Sequence, residues 1–534
     1  MKKRLLAAVL AFAMMLAIFS GCAQSPAPAE STETTEAAKA ETTETAAETE
    51  AAKTEKPATE EATETAKEAA TKPPKYIFML IGDGMSAVQI NSAQVFNGNS
   101  KDGEIATKNL LFADFPACGM ATTHDSTSFC PDSASTATSM STGYKTHSGV
   151  IGMAVDKTTP VTNIAELMKD EGKKVGIVST VTINHATPAA YYAHVESRND
   201  YYGIAMQMAD SGVDYFAGGE ISKPTGNDKD QKDAYEILEE KGYTIARTAD
   251  EIAALNASSG KAYAVSPSIQ DSGAMPYAID QKEGDLSLAD FVEKGIEVLD
   301  NDEGFFLMAE SGKIDWSCHA NDAMTTITEV LDFEKAVQVA YDFAQEHPDE
   351  TLIIVTGDHE TGGMTIGYAS TGYDTAFNIM GNQKMSYVEF DQTVKDMKEA
   401  NPELAFEDVA PLITETFGLK MPTGDAAADE ADPLVLTEFE VEKLQAGFAE
   451  SMLPVENREE TEANALLYGT YDPLSVSITH IANNKSGVGW TSYAHTGVPV
   501  PVYAYGVGAD QFNGYYDNTD VFYKISDICE ITGR

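Results

Sequence analysis

Positive charge is scarce in this sequence: 36 Lys and Arg stand against 84 Asp and Glu, a formal net charge of −48 over 534 residues. That balance excludes attraction to nucleic-acid backbones or anionic lipid faces, which clustered basic side chains provide. Cysteine is scarce too. Of the five, Cys22 closes an N-terminal apolar segment, which leaves Cys118, Cys130, Cys318 and Cys529. Cys118 and Cys130 either pair or stay free thiols, and Cys318, beside His319, reads as a packing residue rather than a ligand. No internal repeat is evident. The apolar run 5–19 is too short to span a bilayer comfortably. What is present suffices for a large core, since 43% of residues are hydrophobic and 9% aromatic; disorder throughout is excluded, and one main domain plus insertions is the expectation.

Lys2, Lys3 and Arg4 precede that run, which has the length of a secretory h-region. It ends Phe19-Ser20-Gly21-Cys22, small residues before a cysteine that resemble a bacterial lipoprotein cleavage box. Residues 1–22 therefore read as a lipoprotein signal with Cys22 as the lipidated residue; the alternative is an ordinary signal peptide that contains a cysteine. Residues 23–74 are almost only Ala, Thr, Glu, Lys, Ser and Pro, with no aromatic residue, and read as a disordered, charge-extended stalk. The expectation is an exported protein tethered to the outer face of a bacterial membrane, touching it only through the lipid, with residues 75–534 as the folded body.

Residues 76–81 form a short apolar run that breaks into Gly82-Asp83-Gly84-Met85, the pattern of a buried strand delivering a carboxylate at its C-terminal end. Runs 174–180, 304–309 and 351–356 repeat the pattern after helical stretches 164–171, 286–299 and 325–346. The alternation predicts an α/β fold whose largely parallel sheet is covered on both faces and gathers ligands at its C-terminal strand ends. In the last of these helices Ile327, Val330, Leu331, Val337 and Phe343 fall at helical spacing and are expected in the core. The stretch 367–467 reads as an insertion, a cap or interface element before the last candidate ligand.

Chemistry gathers at the strand ends. In Pro131-Asp132-Ser133-Ala134-Ser135-Thr136 a helix starting near the serine would aim free N–H groups at an anion; a Ser/Thr-rich helix start is also an ordinary cap. In Glu310-Ser311-Gly312-Lys313-Ile314-Asp315-Trp316-Ser317-Cys318-His319, Asp315 and His319 share a face if that turn is helical. Such oxygen and nitrogen ligands suit zinc, and Glu310 alone suits a harder ion. Asp358-His359, bounded by glycines, adds two ligands at a strand mouth. Carboxylates gathered this way repel one another unless cations compensate them.

These motifs, with His185-Ala186-Thr187-Pro188, Ser197-Arg198 and Ala494-His495-Thr496-Gly497, resemble the alkaline phosphatase family in order from residue 76 to about 506. The resemblance implies a three-layer α/β/α body, two zinc ions, one magnesium ion and a phosphoserine intermediate. It implies Ser133 as nucleophile and Arg198 as the phosphoryl clamp. One zinc falls to Asp315, His319 and His495, the other to Asp83, Asp358 and His359. Asp83 bridges to a magnesium site of Glu310 and Thr187, with His185 nearby. The substrates would be small phosphate monoesters, with no nucleic-acid binding, and a homodimer is an open possibility. Many bacterial relatives carry an acid where His185 stands and a lysine where Trp316 stands, so the third ion's identity and the hold on phosphate are expected to differ. The alternatives are a phosphodiesterase or sulfatase of the same superfamily, or a non-catalytic surface protein binding metal or phosphate.

Overall fold

The central strands form where apolar runs are continuous, while shorter ones pair at the edges and in two-residue ribbons. Among the described residues they are Tyr76–Gly82 (β1), Ala117–Thr122 (β2), Lys174–Ser179 (β3), Tyr215–Gly218 (β4), Tyr243–Ala246 (β5), Lys261–Val265 (β6), Phe305–Ser311 (β7), Thr351–Gly357 (β8), Glu360–Thr361 (β9), Thr365–Ile366 (β10), Val488–Gly489 (β11), His495–Thr496 (β12), Val500–Gly506 (β13) and Gly514–Asp517 (β14). The computed structural model describes residues 72–99 and 105–532. The signal segment, Cys22 and residues 23–71 of the stalk lie outside the described residues.

Ten strands make one sheet, ordered β14-β2-β13-β8-β1-β7-β3-β4-β6-β5. All neighbours are parallel except those of β13, which runs antiparallel to β2 and β8. The central strands β1, β7 and β8 are buried along their whole length, as strands covered on both faces must be. Side chains alternate between two cores. Ile77, Met79 and Ile81 pack with the helices Ser133–Thr142, Ile164–Asp170 and Thr519–Ile528. Phe78 and Leu80 pack with Leu288–Leu299 and Ala323–Glu346. This is the expected three-layer α/β/α arrangement. Ile327, Val330 and Val337 are buried, and Leu331 and Phe343 pack against the same core half-buried.

Register positions the site. Gly82 pairs with Ser311 of β7 and with Gly357 of β8, while Ser179 of β3 pairs with Glu310. Asp83, Glu310 and Asp358 therefore reach one rim of the sheet from three adjacent strands.

The stretch 367–467 is helical, with Tyr387–Ala400, Phe406–Phe417 and Glu438–Ser451 as its longer helices. Phe390, Val409, Ile413 and Leu444 close a separate apolar core together with Leu474, Ile478 and Ile481. That core takes in the helix Pro473–Lys485, so the packed unit runs past residue 467. Cys118 and Cys130 are exposed free thiols and Cys318 is buried; the pairing alternative for the first two is not realised. Among the described residues no helix is long and apolar enough to cross a membrane.

Candidate active site

Ser133 opens the helix Ser133–Thr142, capped by the Asp132 carboxylate, which accepts from Ser135 N at 3.1 Å. All ten helix residues are buried. Their small side chains allow close approach, and Thr136, Ser139 and Thr142 return their hydroxyls to carbonyls four residues back, so burial leaves these donors satisfied. The Ser133 hydroxyl lies 3.1 Å from His359 Nε2.

His359 is the hub. Its Nε2 is 3.3 Å from both Asp83 Oδ1 and Asp358 Oδ2, and its ring stacks on His495 with centroids 3.7 Å apart. His495 arrives through the two-residue ribbon in which β12 pairs with β9, setting it opposite Thr361. Buried Glu360 ties that ribbon down, accepting from Gln89 Nε2 at 2.8 Å, from Gly363 N at 3.1 Å and from the Thr496 hydroxyl.

The turn after β7 is helical, Lys313–His319, and brings Asp315 and His319 together as their spacing predicts. His319 Nε2 lies 3.3 Å from Asp315 Oδ2 and 3.0 Å from His495 Nε2, and His495 Nε2 lies 3.5 Å from Asp315 Oδ1. The other ring nitrogens of both histidines meet backbone carbonyls at 2.6 Å, Tyr493 for His319 and Pro131 for His495. A carbonyl only accepts, so each Nδ1 is the donor and each Nε2 turns inward, where a metal-ligating imidazole presents its lone pair once that nitrogen is deprotonated.

A third group joins Asp83, His185 and Glu310, whose ligand atoms lie within 4.8 Å of one another. Thr187, in the short helix after His185, donates to Asp83 Oδ2 at 3.2 Å, and Ser179 donates to Glu310 Oε2 at 2.5 Å. Asp83 Oδ1, Glu310 Oε1 and His185 Nδ1 are buried without a hydrogen-bond partner. Three orphaned polar atoms in one place are costly unless something binds them, and their oxygen and nitrogen chemistry suits a cation.

The electrostatics agree. Burial, then the Asp358 charge, pushes the Asp83 carboxyl far above its usual range. Burial also raises Glu310 and Asp358, each to about 7. Asp315 goes the other way: burial pushes it up, but the charge and hydrogen bond of His319, with the charges of His495 and His359, together hold it well below the usual range. Against its own burial, His319 is raised by the Asp315 contact to about 9. Burial pushes His359 down, and it takes His185 down to about 3, with Arg198 adding to the effect. Unshared acids of this kind hold protons that a bound cation would displace.

Arg198 donates to Asp132 Oδ2 at 2.9 Å, and Asp132 Oδ1 accepts from Gly149 N at 2.9 Å. Arg198 is thus held in place by the residue before the serine. A cavity of about 370 Å³ is lined by Ser133, His185, Arg198, Asp315, His319 and His495, with Trp316 on its wall and Asp271, Ser272, Tyr387 and Tyr471 at its mouth. All eleven residues singled out in the folded body converge on this region.

Sequence reasoning missed the supporting residues. Asp132 sat inside a quoted motif without a role. Thr136 donates to Asp358 Oδ2 at 2.9 Å, and Thr361 donates to Asp315 Oδ1 at 2.5 Å. Thr136 stands one helical turn after Ser133, a spacing that offers a signal; Thr361 and Gln89 offer none.

Acids and imidazoles packed this closely beside a serine and an arginine belong to the class of metal-binding hydrolases. The family model for alkaline phosphatase matches residues 74–531. Alkaline phosphatase 4 of Bacillus subtilis (strain 168) is 32% identical over 462 residues, covering 84% of this chain and 88% of its own. Among solved structures, the cold-active alkaline phosphatase of the psychrophile Shewanella sp. superposes with a TM-score of 0.68 at 26% identity, over 85% of this chain and 99% of its own. A histidine-to-glutamate mutant of the alkaline phosphatase from the Antarctic bacterium TAB5, with magnesium bound in its M3 site, gives 0.59 at 27% identity over 87% and 100%. The chain belongs to the alkaline phosphatase family and is a phosphomonoester hydrolase.

Proposed function

We propose that the chain hydrolyses phosphate monoesters in two transfers, first to Ser133 and then to water. The observation that carries this reading is the Ser133 hydroxyl, buried at a helix start 3.1 Å from His359 Nε2 and lining one cavity with Arg198. Two zinc ions suit the groups Asp315/His319/His495 and Asp83/Asp358/His359, and a magnesium ion suits Asp83, Glu310 and Thr187 beside His185. Magnesium in the TAB5 mutant supports a third site here. When bound, such ions offset negative charge and lower the proton affinity of a neighbouring hydroxyl or water.

Arg198, steadied by Asp132, grips two non-bridging phosphoryl oxygens. The N–H groups at the start of the Ser133 helix face the same anion. Ser133 Oγ forms a bond to phosphorus as the ester oxygen leaves in line and takes up a proton, giving phosphoserine and a free alcohol. Water then attacks from the opposite side, Ser133 regains its proton, and inorganic phosphate departs. The reading extends to export, a lipid tether at Cys22 and a stalk over 23–74, which rest on the N-terminal sequence, and to a cap role for the 367–467 helices, which Tyr387 at the cavity mouth supports.

Replacing Ser133 by Ala tests the core of the reading. Turnover of 4-nitrophenyl phosphate should fall by about three orders of magnitude or more, with zinc content by elemental analysis unchanged. A variant that keeps its rate refutes Ser133 as nucleophile. Equal or faster rates of the parent on the bis-ester or the sulfate would favour the diesterase or sulfatase alternative.

A further inference from the structure

The catalytic cavity continues outward. A second cavity of about 600 Å³ shares Asp271, Tyr387 and Tyr471 with the first, and adds Glu389, Asp391 and Lys395. A leaving group on phosphorus at Ser133 that extends toward the second cavity meets these shared residues. The Tyr387 and Tyr471 rings meet edge to face with centroids 5.6 Å apart. The Tyr387 hydroxyl is engaged by Tyr277 at 3.1 Å, so what Tyr387 offers the cavity is chiefly its ring.

Asp271 stands at the junction. Its carboxylate accepts from the exposed Ser272 hydroxyl at 3.1 Å, and among the described residues no lysine or arginine forms an ion pair with it. Other cations nearby are committed. Arg198 is paired with Asp132 and faces the phosphoryl group. Lys313 is buried, donates to the Met275 carbonyl at 3.0 Å, lies 3.5 Å from the Tyr277 ring centroid, and shares its charge with Glu329 and Asp280 as well as Asp271. Lys395 is exposed and lines the outer cavity but not the catalytic one.

Aromatic faces beside an unpaired carboxylate attract a weakly hydrated cation, through the ring quadrupole and direct charge. A leaving group with a further negative charge meets Asp271 and Glu389 instead. We propose that Asp271, with Tyr387 and Tyr471, selects the leaving group, and that the favoured substrates are phosphate monoesters of short alcohols bearing an ammonium group. This inference rests on the phosphomonoesterase reading above.

The test compares kcat/KM for choline phosphate with that for 3,3-dimethylbutyl phosphate, its neutral carbon isostere, using the full chain with zinc and magnesium. The expected preference for choline phosphate is about tenfold or more at low salt, shrinking as ionic strength rises. Asp271→Asn should bring the ratio to within about threefold of parity, while Asp271→Glu, which keeps the charge, should retain the preference. A parent ratio near one with both esters turned over overturns the inference and leaves the phosphomonoesterase reading intact, as does a preference that survives Asp271→Asn. Failure on both esters and on 4-nitrophenyl phosphate would sink the two together.

Discussion

Trp316 lines the cavity with its ring edge-on to His185, centroids 5.9 Å apart, where the family resemblance implies a lysine. An indole donates one neutral N–H and carries no charge, so on the proposed reading the hold on inorganic phosphate would fall to Arg198 and the ions. Trp316→Lys should lower the inhibition constant for phosphate about tenfold, the effect of about 1.4 kcal/mol of added charge attraction, and should slow turnover if product release limits it. Steady-state inhibition by phosphate measures this, and an unchanged constant contradicts it. Of the candidate ligands, Asp83, Glu310, Asp358 and His359 were legible because each follows an apolar run, and Asp315 and His319 because of their helical spacing, whereas His185, Thr187 and His495 came only with the family resemblance. The residues that aim them were not. Asp132 meets Arg198 across 66 positions and His319 meets the Tyr493 carbonyl across 174, and nothing local marks such partners.

At the scale of elements, the site depends on how tightly β8 closes on the turn after β1. Gly357 ends β8, and a Cβ built there would stand 1.9 Å from the Met85 carbonyl oxygen. Backbone cannot yield as a flexible side chain can, so Gly357→Ala must part β8 from the Asp83-Gly84-Met85 turn. The expected cost is about 3 kcal/mol or more, read by denaturant unfolding of metal-stripped protein, with zinc affinity weakened because Asp83 and Asp358 move apart. A variant as stable as the parent would show that the turn can shift freely. The strands β1, β3, β7 and β8 and the helices Ile164–Asp170, Leu288–Leu299 and Ala323–Glu346 were readable to within a few residues, since continuous apolar runs and amphipathic stripes are local signals. The shorter strands of the sheet, β2, β4, β5, β6 and β14 among them, carry no such signal. The order of strands in the sheet was not readable either. Register, which sets Gly82 against both Ser311 and Gly357, arises from packing between distant segments, and so does the core shared by the 367–467 helices with Pro473–Lys485.

Over the whole molecule, the buried acids set how stability responds to metal and pH. In the metal-stripped chain Glu310 and Asp358 titrate near 7 and Asp83 is raised as well. For a raised carboxyl the folded state keeps a proton the unfolded chain has released, so stability falls as pH climbs from the ordinary carboxylate range through about 7. His319, raised to about 9, contributes fully below the ordinary histidine range, and its contribution is lost as pH rises through 9. Depressed Asp315 contributes only above the ordinary carboxylate range, so its loss is confined to acid. Depressed His185 and His359 cost stability below the ordinary histidine range, so together these effects place the maximum for stripped protein a little below neutrality. Its melting temperature should be lower at pH 9 than at pH 5.5 by about 5 °C or more, whereas zinc and magnesium, by replacing the protons on these carboxylates, should remove most of that slope and raise both values. Differential scanning calorimetry of chelator-treated and reconstituted protein decides the matter. A stripped chain that gains stability toward pH 9 would mean that the acids at this rim are not held in their protonated form, and the case for cations as their natural counterweight would lose its electrostatic basis.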